Sequence, residues 1–311
     1  MDVEGLRTFE AIHRTGSVTA AAAALHLSQP AVSRRLGLLE RELGAPLFER
    51  VPAGAVVSEA GRALLPYAER VLATVRDAHA AVQDVGAPDR GSVSLALVGT
   101  LAGTGLTQVL RRFTRLRPHV DVRLRTATSR EVSELVRSAD VTLGLRYTAD
   151  NAPDLRSEVL FTERMVVVAA PDHPAAAGHH DGLAALAGHR WLAFPAPPGR
   201  AERSAGWLAD TLEVAGVTAE QVILIDSLTA QKRLVEAGFG LAIMQTSGIG
   251  EEVAAGSLVV VDVAGLDLGI PVAAVTRRGG YLPAAAAVLL AELRTVDDAV
   301  MADRPVRSPQ P

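Results

Sequence analysis

Residues 17–50 constrain this chain more than any other stretch. An alanine-rich run, Ser17-Val18-Thr19 through Ala24-Leu25, leads into His26-Leu27-Ser28-Gln29-Pro30 and on to Leu47-Phe48-Glu49-Arg50. Alanine combines high helix propensity with little bulk, so a helix here lets its neighbours approach closely. Upstream, Val3, Leu6, Phe9 and Ile12 recur every third residue and give a first helix one apolar stripe. Gly16 ends that helix and Ser17 caps the next. His26-Leu27 makes the turn. Ser28 is a good N-cap, and Pro30 falls in the first turn, where its missing N–H leaves no bond unmade.

The predicted third helix has two faces. Val32, Leu36, Leu39 and Leu43 form one stripe, suited to packing on the first two helices. Pro30, Arg34, Gly37 and Arg41 lie opposite, with Ser33 and Arg35 flanking. Gln29, Ser33 and Arg34 therefore sit on the first exposed turns, the part of a recognition helix that reaches base edges in a DNA groove. Glutamine pairs with adenine through two hydrogen bonds, and arginine with guanine in the same way. Arg50, in a predicted β-wing, is placed to meet phosphate or the minor groove. Any one of these arginines alone would suit an ordinary solvated surface. Turn, cap, proline and wing in this order point to a head that reads DNA.

The positions Phe9-Glu10-Ala11, Gly16 to Ala22, Leu25, Ser28-Gln29-Pro30-Ala31-Val32-Ser33, Leu38-Leu39-Glu40, Leu43-Gly44, Leu47-Phe48-Glu49-Arg50 and Ala60-Gly61 stand at a spacing that resembles the LysR-type transcriptional regulators. The resemblance implies a winged helix-turn-helix head over 1–58, with Ser28, Gln29, Pro30, Ser33, Arg34, Arg35 and Arg50 as DNA contacts. It also implies a dimerising linker helix and an effector-binding domain. Two positions depart from the family pattern. The wing has Pro52-Ala53-Gly54 where members usually carry a second basic residue, and Ser58 stands where they usually have threonine. The first departure weakens the expected wing contacts.

At 311 residues, 49% of them hydrophobic, the chain has room for two or three domains and a large core. It has no cysteine, which excludes a disulfide framework, a thiolate metal site and a cysteine nucleophile. No apolar run approaches the ~20 residues of a membrane helix. Met1-Asp2-Val3-Glu4 lacks the basic-then-apolar pattern of a secretory signal, so a cytoplasmic location is expected. The formal net charge is −4, and residues 1–85 carry nine arginines against ten aspartates and glutamates. DNA binding must then rest on local placement of Arg34, Arg35 and Arg50 and on doubling by oligomerisation. It should weaken with salt, because phosphate contacts release counterions.

Ser58 is read as the cap of a long helix over 59–86. Leu64, Ala68, Val71, Val75, Ala78, Val82 and Val85 are spaced as heptads, which suggests a partner helix and a homodimer or homotetramer. Gly86-Ala87-Pro88-Asp89-Arg90-Gly91 reads as a hinge, placed at 87–91. Beyond it, strands and helices alternate, the mark of an α/β fold. Strands are predicted at 92–98, 120–126, 141–145, 164–170, 191–194, 221–225, 241–244, 258–263 and 271–276. Helices are predicted at about 101–116, 129–138, 203–215, 228–237 and 283–294. The layout is that of two α/β lobes joined by crossing strands, as in type 2 periplasmic binding proteins. Lobe I is expected over 92–161 and 268–295, lobe II over 162–267, and a flexible tail over 296–311. Ala139-Asp140-Val141-Thr142-Leu143-Gly144 and Ala237-Gly238-Phe239-Gly240-Leu241-Ala242 echo the LysR effector domain.

Ligands of open α/β sheets bind beyond the carboxyl ends of strands. Thr100 follows the first strand there, Thr128 and Ser129 the second, Arg146 and Tyr147 the third, Asp226-Ser227 one of the later strands, and Gln245-Thr246 another. Thr100, Thr128, Ser129, Arg146, Ser227 and Gln245 are the candidate effector contacts, though threonine and serine at such places also serve as plain N-caps. Arg146, read as a lone cation near helix N-termini, suggests an anionic effector. Gly99-Thr100-Leu101-Ala102-Gly103-Thr104-Gly105 fits neither a P-loop nor G-x-G-x-x-G. His173, His179, His180 and His189 are read as a solvated loop, because their spacing is unlike a zinc site. No G-x-S-x-G elbow occurs. No metal and no cofactor are expected, and no enzymatic activity. The alternatives are a solute-binding protein or an enzyme working in the cleft without a DNA role.

Overall fold

A computed structural model describes residues 1–51, 54–84, 91–195 and 203–295. The chain forms two compact units.

The first unit is built from α1 (Val3–Thr15), α2 (Val18–Leu25), α3 (Gln29–Leu43), β1 (Phe48–Val51), β2 (Gly54–Val57) and α4 (Glu59–Gln83). Each helix begins on a side-chain cap. Asp2, Ser17, Ser28 and Ser58 accept from the backbone N–H groups of Gly5, Ala20, Ala31 and Gly61, which satisfies donors the helix itself leaves open. α1 and α3 end on Gly16 and Gly44 in the left-handed region, at φ +67° and +73°, where a side chain would be strained. The alanine run packs as expected, with Ala21 and Ala22 buried beside Ala11, Ile12 and Val32. A second cluster joins Leu6, Phe9, Leu39, Leu47, Ala68 and Leu72. The apolar stripe of α3 stops short of Leu43, which is exposed. β1 and β2 form an antiparallel wing with Arg50 opposite Ala55. Pro52 and Ala53, on which the departure in the wing turns, lie outside the described residues.

The heptad seam of α4 is divided. Ala68 belongs to the core of its own head, whereas Val71 and Val82 are exposed, Val82 at 73%. Turning by one position, Tyr67 is exposed and Leu72 buried. The first turns of α4 therefore pack on the head, which a periodicity count does not distinguish from packing on a partner. Val85 and residues 86–90 of the expected hinge lie outside the described residues.

The second unit runs through β3 (Gly91–Leu97), α5 (Leu106–Leu116), β4 (Val120–Thr126), α6 (Ser129–Arg137), β5 (Leu143–Tyr147), β6 (Leu155–Ala169), β7 (His179–His180) and β8 (Trp191–Ala193). It continues through α7 (Arg203–Val214), β9 (Val222–Leu224), α8 (Leu228–Glu236), β10 (Leu241–Gln245), α9 (Gly250–Ala255), β11 (Val259–Val260), β12 (Asp262–Val263), β13 (Leu268–Arg277) and α10 (Ala284–Arg294). The main sheet has the order β4-β3-β5-β13-β6-β10-β8-β9, with β11 added beside β6. β3, β4 and β5 pair in parallel, as do β10, β8 and β9. The long antiparallel pair β6 and β13 joins these two parallel groups. This is the two-lobed architecture with crossing strands.

Several expected elements move. The strand expected at 141–145 lies at Leu143–Tyr147, and the one expected at 164–170 begins at Leu155. The early half of β6 mixes buried and exposed positions, which hides it from a search for apolar runs. The helix expected from about 101 divides into a 3-10 turn, Gly99–Gly103, and α5. Thr104 stands at the break, and its hydroxyl donates to the Leu101 carbonyl. The strand expected at 258–263 is two short strands, and α9 was not foreseen. The expected tail, 296–311, lies outside the described residues.

Candidate functional sites on the third helix and in the cleft

Along α3, Val32 and Leu39 are buried, while Gln29, Pro30, Ser33 and Arg34 are exposed. One buried face thus fixes which side chains the opposite face offers. Ser28 holds the Ala31 N–H with its oxygen at 3.4 Å, leaving its hydroxyl proton free to donate. Arg34 makes no ion pair among the described residues. Arg35 differs: its Nη1 lies 2.9 Å from Glu4 Oε2 on α1. The same carboxylate meets Arg7 Nη1 at 3.1 Å. Arg50 lies in β1. The chemical capacity of this face is hydrogen bonding and positive charge offered to solvent.

In the second unit, Thr100 and Gln245 are brought together by Tyr147. The Tyr147 hydroxyl lies 2.8 Å from Thr100 Oγ1 and accepts from Gln245 Nε2 at 3.2 Å. It donates to Glu163 Oε2 at 2.7 Å. Ser247 donates to the other carboxylate oxygen, Glu163 Oε1. With the Tyr147 proton committed to Glu163, Thr100 is the donor to Tyr147. Four donors thus point, directly or through Tyr147, at one carboxylate on the crossing strand β6. Thr100 belongs to the turn after β3, and Gln245 and Ser247 lie at the end of β10 and in the turn after it. The network therefore ties the two lobes to the strand between them. Gly103 permits this approach, since a Cβ there would lie 2.9 Å from the Ser247 carbonyl oxygen.

Glu163 is 1% exposed. Burial pushes its carboxyl above the ordinary glutamate range, against the pull of the Ser247 and Tyr147 hydrogen bonds. Burial also pushes the Tyr147 phenol well up, and the neighbouring Glu163 charge adds to this.

The remaining candidates are not joined to this network. Thr128 is exposed and engaged with Glu131: its N–H and hydroxyl donate to Glu131 Oε2 at 2.8 and 2.9 Å. These bonds hold the Glu131 carboxyl below the usual range. Ser129 is buried at the start of α6. Ser227 is exposed and caps α8 through the Ala230 N–H. Arg146 requires a correction. It is 5% exposed, with Nη1 2.8 Å from Asp150 Oδ2 and 2.6 Å from Ser133 Oγ. Successive strand residues point to opposite faces, so with Tyr147 turned to the network Arg146 is turned to α6. It is a paired structural cation, and the argument from it to an anionic effector falls.

The histidine stretch is more ordered than a loop. His179 and His180 form β7, paired with β12, and His179 Nδ1 lies 2.9 Å from Asp262 Oδ2. The rings of His173 and His189 are 5.0 Å apart. Among the described residues, no three His, Cys, Asp or Glu side chains gather as a metal site.

The sequence holds no sign of Glu163 or Ser247, and it offers Tyr147 only as a neighbour of Arg146 at the end of the third strand. Tyr147 was within reach once β5 was placed two residues later. Glu163 gave no signal, because a single glutamate in an alternating stretch reads as surface.

Residues 3–62 match the model of the bacterial regulatory helix-turn-helix protein, lysR family, and residues 86–298 match the LysR substrate binding domain. The chain is 31% identical to the HTH-type transcriptional regulator CfxR of Cupriavidus necator, over 84% of this chain and 80% of that one. It is 30% identical to the RuBisCO operon transcriptional regulator of Allochromatium vinosum, over 90% and 91% of the two chains. Among solved structures it resembles full-length CbnR complexed with target DNA, at TM-score 0.61 and 24% identity, over 94% of this chain and 99% of that one.

Proposed function

This chain belongs to the LysR family of transcriptional regulators, and from that premise we propose how its residues divide the work. The head, residues 1–58, places α3 in the major groove of an operator. Gln29, Ser33 and Arg34 meet base edges there. Ser28, Pro30, Arg35 and Arg50 meet sugar and phosphate. The single observation that carries this reading is the exposed row Gln29, Pro30, Ser33 and Arg34 on a helix anchored by Val32 and Leu39. Residues 59–86 link and dimerise. The exposed stripe of Tyr67, Val71 and Val82 on α4 supports that role. Two heads on one two-fold axis then meet a partly symmetric site.

A small effector binds between lobe I (92–161 and 268–295) and lobe II (162–267), against Thr100, Tyr147, Gln245 and Ser247. Thr128, Ser129 and Ser227 stand at helix starts and belong to the outer part of the site. The effector acts only through a difference in affinity between the two arrangements of the lobes. The protein works in the cytoplasm, and the cleft is a binding site without turnover. CfxR and the A. vinosum protein are transcriptional regulators by name, which supports this over a cleft enzyme or a transport protein.

The test is Arg34→Ala in the full chain, measured by gel shift on the DNA upstream of its own gene. Loss of the shifted band with an unchanged unfolding curve is the expected result. Undiminished binding would remove α3 from the groove.

A further inference from the structure

Glu4 stands where the helix dipole favours an anion. It lies in the first turn of α1, and its carboxylate joins two cations, Arg7 and Arg35, one on each oxygen. Arg35 is one of the few cations the recognition helix offers, in a head whose residues 1–58 hold six arginines against six acidic side chains. The Glu4 and Arg35 side chains are 48% and 36% exposed, so water screens the pair and the bond is easily exchanged. Arg34, the residue before it on the helix, has no such partner among the described residues.

We propose that Glu4 is a specificity-determining residue of the DNA-binding head: it is the counter-ion that holds Arg35 back from the phosphate backbone. The inference rests on the reading of α3 as the recognition helix. Loose contact with any duplex leaves Arg35 on Glu4, because one screened phosphate offers no more than the carboxylate already in place. Full seating of α3, driven by Gln29, Ser33 and Arg34 on matching bases, brings the backbone close enough to take Arg35 over. Glu4 itself then lies near phosphate and repels it, a cost that every sequence bears but only a matched site recovers. The net effect is to suppress non-specific binding, the term that grows with every free cation.

The experiment is fluorescence anisotropy of the full chain on a labelled random-sequence duplex across a salt series. Wild type, Glu4→Gln, Arg35→Ala, the double variant and Arg34→Ala are compared. Glu4→Gln should tighten binding to random DNA about fivefold in dilute buffer. It should also steepen the dependence on salt by about 0.9, the slope of one added phosphate contact. The double variant should lose both gains. A merely structural role in the first turn of α1 would change the unfolding midpoint and leave the slope alone. Equal slopes for wild type and Glu4→Gln, or a gain that persists without Arg35, would overturn the inference while leaving the head's function intact. A wild-type chain that ignores duplex DNA in dilute buffer, or an Arg34→Ala chain that equals wild type on the duplex upstream of its own gene, would instead overturn the reading of the head and this inference with it.

Discussion

Glu163 is the residue whose environment departs furthest from its sequence context. Its carboxyl titrates above the ordinary glutamate value of 4.5 because it is buried, so the folded state holds its proton more tightly than the unfolded chain does. The stability from that proton is fully present below the unfolded value and is lost as pH rises through the folded one. Glutamine keeps the shape of the protonated acid. Glu163→Gln should therefore match wild type near pH 4.5 and become the more stable of the two toward pH 7, in urea unfolding followed at several pH values. A difference independent of pH would refute the placement of that carboxyl. Tyr147→Phe removes one donor from Glu163 and the shared partner of Thr100 and Gln245, and should cost about 1–3 kcal/mol in the same assay. Glu163 was not legible beforehand, since burial of a polar side chain is decided by strands far apart in sequence, whereas Tyr147 at the end of β5 was placed by its strand. Glu163 is met by residues 147 and 247, and through Tyr147 by residues 100 and 245.

Elements were more legible than side chains wherever the signal was local. Ser17, Ser28 and Ser58 announce the starts of α2, α3 and α4, and Gly16 and Gly44 the ends of α1 and α3, because caps depend on neighbours in sequence. Gly61 shows what a motif position means physically. A Cβ there would sit 2.3 Å from the Leu47 carbonyl oxygen and 2.7 Å from Val57 Cγ1. Gly61→Ala should push α4 off the wing and destabilise the head by about 1–3 kcal/mol, read as a lower thermal midpoint. The α4 seam was only half legible, because a 3.5-residue repeat does not say whether Leu64 and Ala68 face a partner or their own head. Val82, 73% exposed, separates the two uses. Val82→Glu should leave the head folded and weaken self-association, seen by sedimentation as a shift toward monomer at low concentration. An unchanged dissociation constant would exclude this turn of α4 from the interface.

The whole molecule pairs a head read mostly from its own sequence with a cleft that only the fold assembles. Fold class followed from alternation of strands and helices, and the register of β5 and the length of β6 did not. The same asymmetry governs function. A recognition helix shows its role in one contiguous stretch, whereas the effector's chemistry depends on which of several distant side chains meet. Arg146 illustrates the risk, since a cation that looked solitary is bound to Asp150 and Ser133. If α3 delivers Arg34 to bases, the most direct measurement compares wild type with Arg34→Ala on the duplex upstream of the chain's own gene at fixed salt. A loss of roughly 10- to 100-fold, in line with one bidentate base contact, is predicted, with unfolding unchanged. Equal affinity of the two proteins for that duplex would contradict it.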